Sequence, residues 1–146
     1  MPPMTRAVIF DIDGVLIDSY DAHFESWRRL CAEHDMPLTE ARFAVSFGRT
    51  SRDIIRMWWG DDVDDATIQA MDDRKEALFR DVIRDDFPAM PGALDLIDAL
   101  YKAGFLLAVG SSGPPENVEL VTQMLDPEGR FKARVTGKDV TRGKPD

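Results

Sequence analysis

The fold of this sequence is decided by residues 7–14, Ala7-Val8-Ile9-Phe10-Asp11-Ile12-Asp13-Gly14. The first four form an unbroken apolar run rich in β-branched and aromatic side chains, which is typical of a strand covered on both faces in a parallel sheet. Two carboxylates follow immediately, and Gly14 lets the chain turn sharply away. Ligands of open α/β sheets lie beyond the carboxyl ends of the strands, so Asp11 and Asp13 are candidate site residues. Acidic residues before a glycine are also ordinary turn chemistry, and the segment alone leaves both interpretations open.

A second apolar run, residues 105–109, ends in the same manner, because Gly110-Ser111-Ser112-Gly113 follows it directly. A weaker strand candidate covers residues 133–136. Both strong strand candidates end in small or polar residues, which is where ligands bind in open α/β sheets.

Helical patterns connect these strand candidates. Residues 91–104 have the period of an amphipathic helix, with Pro91 near its start and Gly104 in the position of a C′ glycine. A further helix is predicted from about Pro115. The order strand, helix, strand, helix, strand predicts an α/β fold with a Rossmann-like parallel sheet. The predicted buried faces of the two helices are Leu94, Ile97, Leu100 and Tyr101, and then Val118, Val121, Met124 and Leu125.

Between about Ser19 and Phe87 the strand patterns disappear, and apolar residues recur with the 3.6-residue period of helices. This pattern predicts an inserted all-helical domain of four helices, in whose core the three tryptophans pack. We therefore expect a Rossmann-like core formed by residues 1–18 and 87–146, and a helical cap domain over residues 19–86. The predicted apolar faces are Tyr20, Phe24, Trp27, Leu30 and Cys31; Phe43, behind a Thr39 cap; Ile54, Ile55 and Trp58, behind a Ser51 cap; and Ile68, Met71, Leu78, Phe79 and Val82.

The composition excludes several classes of function. Among the 146 residues, 18 Lys and Arg stand against 27 Asp and Glu, and the net charge of −9 argues against nucleic acid as a partner. The single Cys31 excludes an internal disulfide and a multi-cysteine metal site, which fits a reducing compartment. Only four apolar residues precede Asp11, too few for a signal peptide or a membrane span. We therefore expect a cytoplasmic protein with no membrane partner. The sequence does not indicate the oligomeric state.

Two residues outside the first motif could bind an anion. Ser111 precedes a predicted helix, where its hydroxyl and neighbouring backbone N–H groups suit a negative charge, although a serine there is more often a helix cap. Lys144, between Gly143 and Pro145, could supply a point charge to the same anion or be an ordinary surface lysine.

With these residues the sequence resembles the haloacid dehalogenase superfamily of aspartate-nucleophile phosphotransferases, specifically its members with a helical cap inserted after the first strand. Residues 11–19, Asp11-Ile12-Asp13-Gly14-Val15-Leu16-Ile17-Asp18-Ser19, resemble its first motif, Ser111 its second and Lys144 its third. Two cap features resemble the β-phosphoglucomutase and phosphoglycolate phosphatase branch. They are His23 with Phe24 and Trp27, and the loop Gly48-Arg49-Thr50-Ser51-Arg52-Asp53.

The resemblance implies a Mg2+-dependent phosphatase that hydrolyses a small phosphorylated metabolite, such as a sugar phosphate or phosphoglycolate, through an aspartyl phosphate. Asp11 would be the nucleophile, and Asp13 the general acid and base. The same two residues would hold Mg2+, Asp13 through its backbone carbonyl. Ser111, Ser112 and Lys144 would hold the phosphoryl oxygens.

For the cap, the resemblance implies that Arg52 grips a second phosphate or carboxylate of the substrate and that His23 faces the cleft. A solvated arginine and a partly buried histidine are the alternative interpretations. A β-phosphoglucomutase-like mutase is the alternative activity. Asp72 and Asp73 lie near where such a mutase is expected to carry a basic residue, which favours the phosphatase.

The sequence departs from the superfamily at its C-terminal end. The fourth motif, an acidic pair that completes the Mg2+ site, should follow Lys144, but the sequence ends two residues later. We therefore expect a C-terminally truncated chain that turns over weakly or not at all by itself. A catalytically silent fragment that acts as a binding module is the alternative from another functional class.

Overall fold

Three parallel strands form the sheet of this protein, whose computed structural model describes residues 4–145. The strands are β1 (Ala7–Phe10), β2 (Leu106–Gly110) and β3 (Phe131–Val135), in the order β1-β2-β3. Phe10 pairs with Val109, and Gly110 pairs with Val135, so the three carboxyl ends lie at one edge of the sheet. The predicted α/β fold with a Rossmann-like parallel sheet is confirmed.

Residues 4–145 also contain six helices, and the chain divides into two compact units. One unit comprises Met1–Ser19 with Phe87–Asp146, and the other comprises Tyr20–Asp86, whose regular elements are all helical. In the described part of the chain, no helix combines the length and the apolar character needed to span a membrane. The helices are α1 (Tyr20–Glu33), α2 (Glu40–Ser46), α3 (Ser51–Trp59), α4 (Asp65–Asp85), α5 (Ala93–Lys102) and α6 (Pro115–Leu125).

The sheet buries only one of its faces. Leu107 and Val109 of β2 are almost fully buried, as is Phe10 of β1. Side chains alternate along a strand, and on the opposite face Ile9 is 74% and Leu106 47% exposed. A sheet whose spatial order follows the chain, joined by right-handed crossovers, carries its connecting helices on the same face. The prediction that β1 is covered on both faces is therefore wrong.

Helix α5 is also less buried than its sequence pattern predicts. Ile97 is buried and Leu100 half-buried, but Leu94 and Tyr101 are about half exposed. The helix packs through the narrow stripe of Ala93 and Ile97, which are four residues apart. The prediction for α6 holds better, since Val118, Val121 and Leu125 are buried and Met124 is half-buried.

The helical unit has its own apolar core. Trp27 lies inside it, and Trp58 and Trp59 pack against it, as expected for tryptophans in a small helical bundle. The ring centroids of Trp27 and Trp58 are 5.3 Å apart, in an edge-to-face arrangement. The buried residues of this core are Trp27, Leu30, Phe43, Ile54, Ile55, Ile68, Met71 and Leu78.

Side-chain caps begin two of these helices close to the predicted positions. Thr39 caps α2 as predicted, and its hydroxyl oxygen accepts a hydrogen bond from the backbone N–H three residues on. Thr50 caps α3 in the same way, so the prediction of Ser51 as the cap is wrong by one residue. At the end of α4, Ile83 rather than Val82 is buried, because the apolar stripe shifts by one position over this long helix.

Candidate active site

The carboxylate of Asp11 lies at the carboxyl end of β1 and contacts two donors. Its Oδ1 accepts a hydrogen bond from the Ile12 N–H at 2.8 Å and lies 3.0 Å from Nζ of Lys144. The same Nζ donates to the carbonyl oxygen of Gly110, at the end of β2, at 3.0 Å. The pair is partly exposed, so water screens it and the lysine can exchange partners. The structure thus places the Asp11 carboxylate and the Lys144 ammonium in contact at the carboxyl ends of β1 and β2.

Residues 12–19 form a tight loop that carries Asp13. Gly14 adopts a φ of +73°, which favours glycine, and its N–H donates to the carbonyl of Ile17 at 2.8 Å. The predicted sharp turn at Gly14 is therefore confirmed. The hydroxyl of Ser19 donates to Oδ1 of Asp13 at 2.7 Å. Three buried apolar side chains anchor the loop: Ile12, Leu16 and Ile17.

Ser111 is buried directly after β2. Its Oγ accepts a hydrogen bond from the Gly113 N–H at 3.1 Å, which leaves the hydroxyl proton to donate. It does not cap α6, since that helix begins at Pro115, after Pro114, without a side-chain cap. Proline has no N–H, so this helix terminus offers an anion fewer donors than the sequence pattern predicted. Ser112, the other predicted phosphate-binding serine, is exposed.

Gly137 supports this serine loop from the segment that follows β3. Its N–H donates to the carbonyl oxygen of Gly113 at 2.9 Å. A Cβ at Gly137 would lie 2.5 Å from the carbonyl oxygen of Ser112, a distance that real Cβ atoms do not adopt. Only glycine therefore lets the two backbone segments approach so closely.

The oxygen donors of Asp11 and Asp13 suit a hard divalent cation. Mg2+ is usually bound through one or two carboxylates, together with water and phosphate oxygens of the substrate. No group of three or more His, Cys, Asp or Glu side chains that could hold a metal occurs within residues 4–145. The residues present fit a Mg2+ ion for which protein supplies only part of the coordination.

In the helical unit, the predicted site residue His23 contacts a buried lysine. Nδ1 of His23 lies 3.0 Å from Nζ of Lys75, whose side chain is only 3% exposed. Lys75 also donates to Oε1 of Glu76 at 2.9 Å, and the ring of His23 stacks on Phe79 at 4.3 Å. An ammonium group only donates hydrogen bonds, so the contact assigns the acceptor role to Nδ1 of a neutral imidazole. His23 is thus half-buried in a polar cluster beside an aromatic ring.

The predicted cap residue Arg52 pairs with an acidic side chain in the same helical unit. Its Nη2 donates to Oδ1 of Asp65 at 2.8 Å, and Arg56 donates to the same oxygen at 3.1 Å. Both side chains of the ion pair between Arg52 and Asp65 are substantially exposed. Such surface ion pairs contribute little to the free energy of unfolding, and Arg52 can readily exchange Asp65 for another anion. The substrate-binding role of Arg52 stays a prediction.

The model of one protein family, haloacid dehalogenase-like hydrolase, matches residues 8–146, a range that contains both Asp11 and Lys144. This chain belongs to the haloacid dehalogenase-like hydrolase family. Among its relatives, the validoxylamine A 7'-phosphate phosphatase of Streptomyces hygroscopicus subsp. limoneus is 28% identical over 146 residues, covering 98% of this chain and 67% of that protein. The phosphorylated carbohydrates phosphatase of Thermotoga maritima is 27% identical over 145 residues, covering 97% of this chain and 65% of that protein.

A solved structure of a haloacid dehalogenase hydrolase shares this architecture. The hydrolase of family IA, variant 3, from Entamoeba histolytica is 26% identical and superimposes with a TM-score of 0.83. The match covers 97% of this chain and 65% of that protein. This haloacid dehalogenase-like chain therefore spans about two thirds of the length of the relatives named here.

Sequence reasoning missed Ser19, Lys75 and Gly137, each of which lies beside a predicted site residue of this haloacid dehalogenase-like chain. Ser19 closes the first motif, but only the folded loop shows its contact with Asp13. Lys75 could have been found from the sequence, because a lysine one turn after Met71 interrupts the apolar face of α4. Gly137 left none, since its role depends on the approach of a backbone segment far along the chain.

Proposed function

We propose that this protein is a Mg2+-dependent phosphatase that hydrolyses a small phosphorylated metabolite, such as a sugar phosphate or phosphoglycolate, through an aspartyl phosphate. The observation that carries the proposal is the contact of the Lys144 ammonium with both the Asp11 carboxylate and the Gly110 carbonyl oxygen. At one edge of the sheet, Asp11 is thus available as a nucleophile and Lys144 as a cation that can bind a phosphate dianion, although the protein as a whole is acidic. The names of two relatives, both phosphatases of phosphorylated compounds, support the same reaction.

In the first step, an oxygen of Asp11 attacks the phosphorus in line with the leaving oxygen, and a phosphorus–oxygen bond forms as the ester bond breaks. Asp13 gives its proton to the departing alcohol, so that no free alkoxide is released. The products of this step are the alcohol and an acyl phosphate on Asp11.

In the second step, water attacks the phosphorus of the acyl phosphate. Asp13, now ionised, takes the proton from that water, and inorganic phosphate leaves with the carboxylate of Asp11 restored. Throughout both steps, Lys144 and the hydroxyls of Ser111 and Ser112 donate hydrogen bonds to the other phosphoryl oxygens. Because the Lys144 side chain is 61% exposed, its ammonium group can share its charge between Asp11 and the phosphate.

The proposal includes a Mg2+ ion held by the Asp11 carboxylate and the backbone carbonyl of Asp13. When bound, the ion offsets the repulsion between the carboxylate and the phosphate dianion. Water and the phosphate would supply the remaining ligands, as is usual for Mg2+.

The proposal assigns the catalytic core to residues 1–18 and 87–146, and the cap to residues 19–86. In the cap, Arg52 exchanges its exposed ion pair for a phosphate or carboxylate of the substrate, and His23 contacts the substrate. A cytoplasmic location belongs to the same proposal, because phosphorylated metabolites are the substrates and the single Cys31 implies no disulfide.

A phosphomutase of the β-phosphoglucomutase kind is the second candidate, and one observation favours it. Asp72 and Asp73 deprive the cap of the expected positive charge, but Lys75 supplies one beside His23. A lysine that is 3% exposed and paired with Glu76 is costly to bury unless its charge is used or well compensated. Conversion of a sugar 1-phosphate into its 6-phosphate, without release of inorganic phosphate, would identify the mutase.

Hydrolysis of 4-nitrophenyl phosphate by the 146-residue chain tests the proposed phosphatase. We expect slow phosphate release that requires Mg2+ and disappears in Asp11→Asn, because an amide oxygen is not an effective nucleophile. Asp95→Asn, which removes an exposed carboxylate of the same unit, is the matched control and should keep the wild-type rate. Equal rates in wild type and Asp11→Asn, or rates that are unchanged by chelation of Mg2+, would contradict the proposal.

A further inference from the structure

The serine loop, residues 111–113, is held by the two residues on either side of Thr136. Immediately before Thr136, the carbonyl oxygen of Val135 accepts a hydrogen bond from the Ser111 N–H at 2.9 Å. Immediately after Thr136, the N–H of Gly137 donates to the carbonyl oxygen of Gly113, also at 2.9 Å. The position of Thr136 therefore affects both of these hydrogen bonds between the two segments.

Thr136 is itself held by the carboxylate of Asp139, three residues further along the chain. Oδ2 of Asp139 accepts a hydrogen bond from the Thr136 N–H at 2.7 Å and another from the Thr136 hydroxyl at 2.8 Å. The Asp139 N–H closes the turn by donating to the Thr136 carbonyl oxygen at 3.0 Å. Because Thr136 is only 8% exposed, water has little access to replace the carboxylate as the acceptor of these hydrogen bonds.

The charge of Asp139 shows how it can help an anion to bind. The hydrogen bonds from the Thr136 hydroxyl and N–H hold the pKa of Asp139 below its usual range, so the carboxyl group is ionised at neutral pH. A carboxylate accepts hydrogen bonds but donates none, and its negative charge repels a phosphate dianion. Any benefit of Asp139 to phosphate binding must therefore come through the backbone that it holds.

We propose that Asp139 is a positioning residue for the serine loop, and that it promotes phosphate binding by fixing Thr136. This inference rests on the proposed phosphatase activity, in which the hydroxyls of Ser111 and Ser112 donate to phosphoryl oxygens. A Cβ at Gly137 would lie 2.5 Å from the Ser112 carbonyl oxygen, so the two backbone segments are in close contact. A displacement of residues 136–137 is consequently transmitted to the serines.

Two substitutions of Asp139 separate its hydrogen bonds from its charge. Asp139→Ala removes both, whereas Asp139→Asn removes the charge but keeps an amide oxygen as an acceptor for Thr136. If Asp139 acted on phosphate only through its charge, both variants would bind phosphate more tightly, because a negative charge is lost in each. Positioning through hydrogen bonds predicts the opposite sign for Asp139→Ala and little change for Asp139→Asn.

The test measures the KM for 4-nitrophenyl phosphate, and the Kd of inorganic phosphate by nuclear magnetic resonance titration in the presence of Mg2+. For Asp139→Ala we expect both constants to rise about fivefold, as for the loss of one or two hydrogen bonds. For Asp139→Asn we expect both constants to stay within about twofold of wild type. Asp95→Ala is the matched control, because it shortens an exposed aspartate of the same unit and should leave both constants unchanged.

Amide hydrogen exchange tests the positioning without turnover. The N–H groups of Ser111 and Gly137 make the two hydrogen bonds between the segments, so their exchange rates report how often the segments separate. In Asp139→Ala we expect exchange at both amides to be about fivefold faster than in wild type, with unchanged exchange in β1. In Asp139→Asn we expect wild-type exchange rates at both amides.

Three results would overturn the inference. They are unchanged exchange at Ser111 and Gly137 in Asp139→Ala, exchange in β1 that accelerates by the same factor, and phosphate constants that change equally in the two Asp139 variants. Failure of the proposed function is a different result, namely wild-type hydrolysis that does not exceed that of Asp11→Asn. In that case the exchange rates and the Kd of inorganic phosphate still test the positioning.

Discussion

At the scale of single residues, the backbone around Gly137 leaves no room for a Cβ atom. Gly137→Ala would place a methyl group 2.5 Å from the Ser112 carbonyl oxygen, so one of the two backbone segments must move. We expect a loss of about 1–3 kcal/mol in the free energy of unfolding, as for other overpacked sites. The displaced serine loop should also raise KM for 4-nitrophenyl phosphate.

The control for this substitution is Gly143→Ala, at which a Cβ would meet no atom within 4 Å. Urea unfolding and steady-state kinetics of the two variants measure the difference. A Gly137→Ala protein as stable as Gly143→Ala would show that the close approach of the two segments does not exist in solution.

At the scale of elements, the contact between α3 and α4 contains a carboxyl group in an unfavourable environment. Burial raises the pKa of Asp72, and a hydrogen bond from the Ser51 side chain only partly opposes this effect. The folded state therefore binds the Asp72 proton more tightly than the unfolded chain does. Stability that is present below the ordinary pKa of 3.8 is lost as the pH rises through the raised value.

Asp72→Asn removes this charge and should stabilise the protein at neutral pH, with a gain that shrinks as the pH falls through the raised pKa towards 3.8. Asp73→Asn makes the same change in net charge at an exposed neighbouring position and is the control. Urea unfolding at several pH values measures both. A gain for Asp72→Asn that does not exceed the gain for Asp73→Asn at neutral pH would contradict the assignment.

The elements themselves could be predicted from the sequence, because hydrophobic periodicity reflects local packing. The run at residues 7–10 and the cap at Thr39 both occur where their local patterns place them. Burial of a whole face is not local, and for this reason the predictions for Leu94 and Tyr101 are wrong. The contact of Lys75 with His23 likewise depends on how α4 packs on α1, which periodicity does not specify.

At the scale of the whole molecule, the uncovered sheet face has consequences for stability. Ile9 is 74% exposed, whereas Val109 on the opposite face is fully buried. We expect Ile9→Thr to change the free energy of unfolding by about 0.5 kcal/mol or less, since it keeps a β-branched side chain at a surface position. Val109→Thr should lower the free energy of unfolding by about 1–3 kcal/mol, because it places a hydroxyl group at a fully buried apolar position.

Chemical unfolding of these two variants, each at several protein concentrations, measures the difference. A large loss for Ile9→Thr that depends on concentration would show that the face is buried by self-association in solution. Similar losses for the two variants at every concentration would show that the assigned faces of the sheet are incorrect.

The most direct test of the central claim is to locate the phosphoryl group on the protein during turnover. The chain is incubated with Mg2+ and 4-nitrophenyl phosphate, quenched, reduced with borohydride and digested for mass spectrometry. Borohydride converts an acyl phosphate of aspartate into homoserine, and we predict homoserine at position 11 in wild type and none in Asp11→Asn. Homoserine at another aspartate, or turnover without any trapped acyl phosphate, would contradict the account.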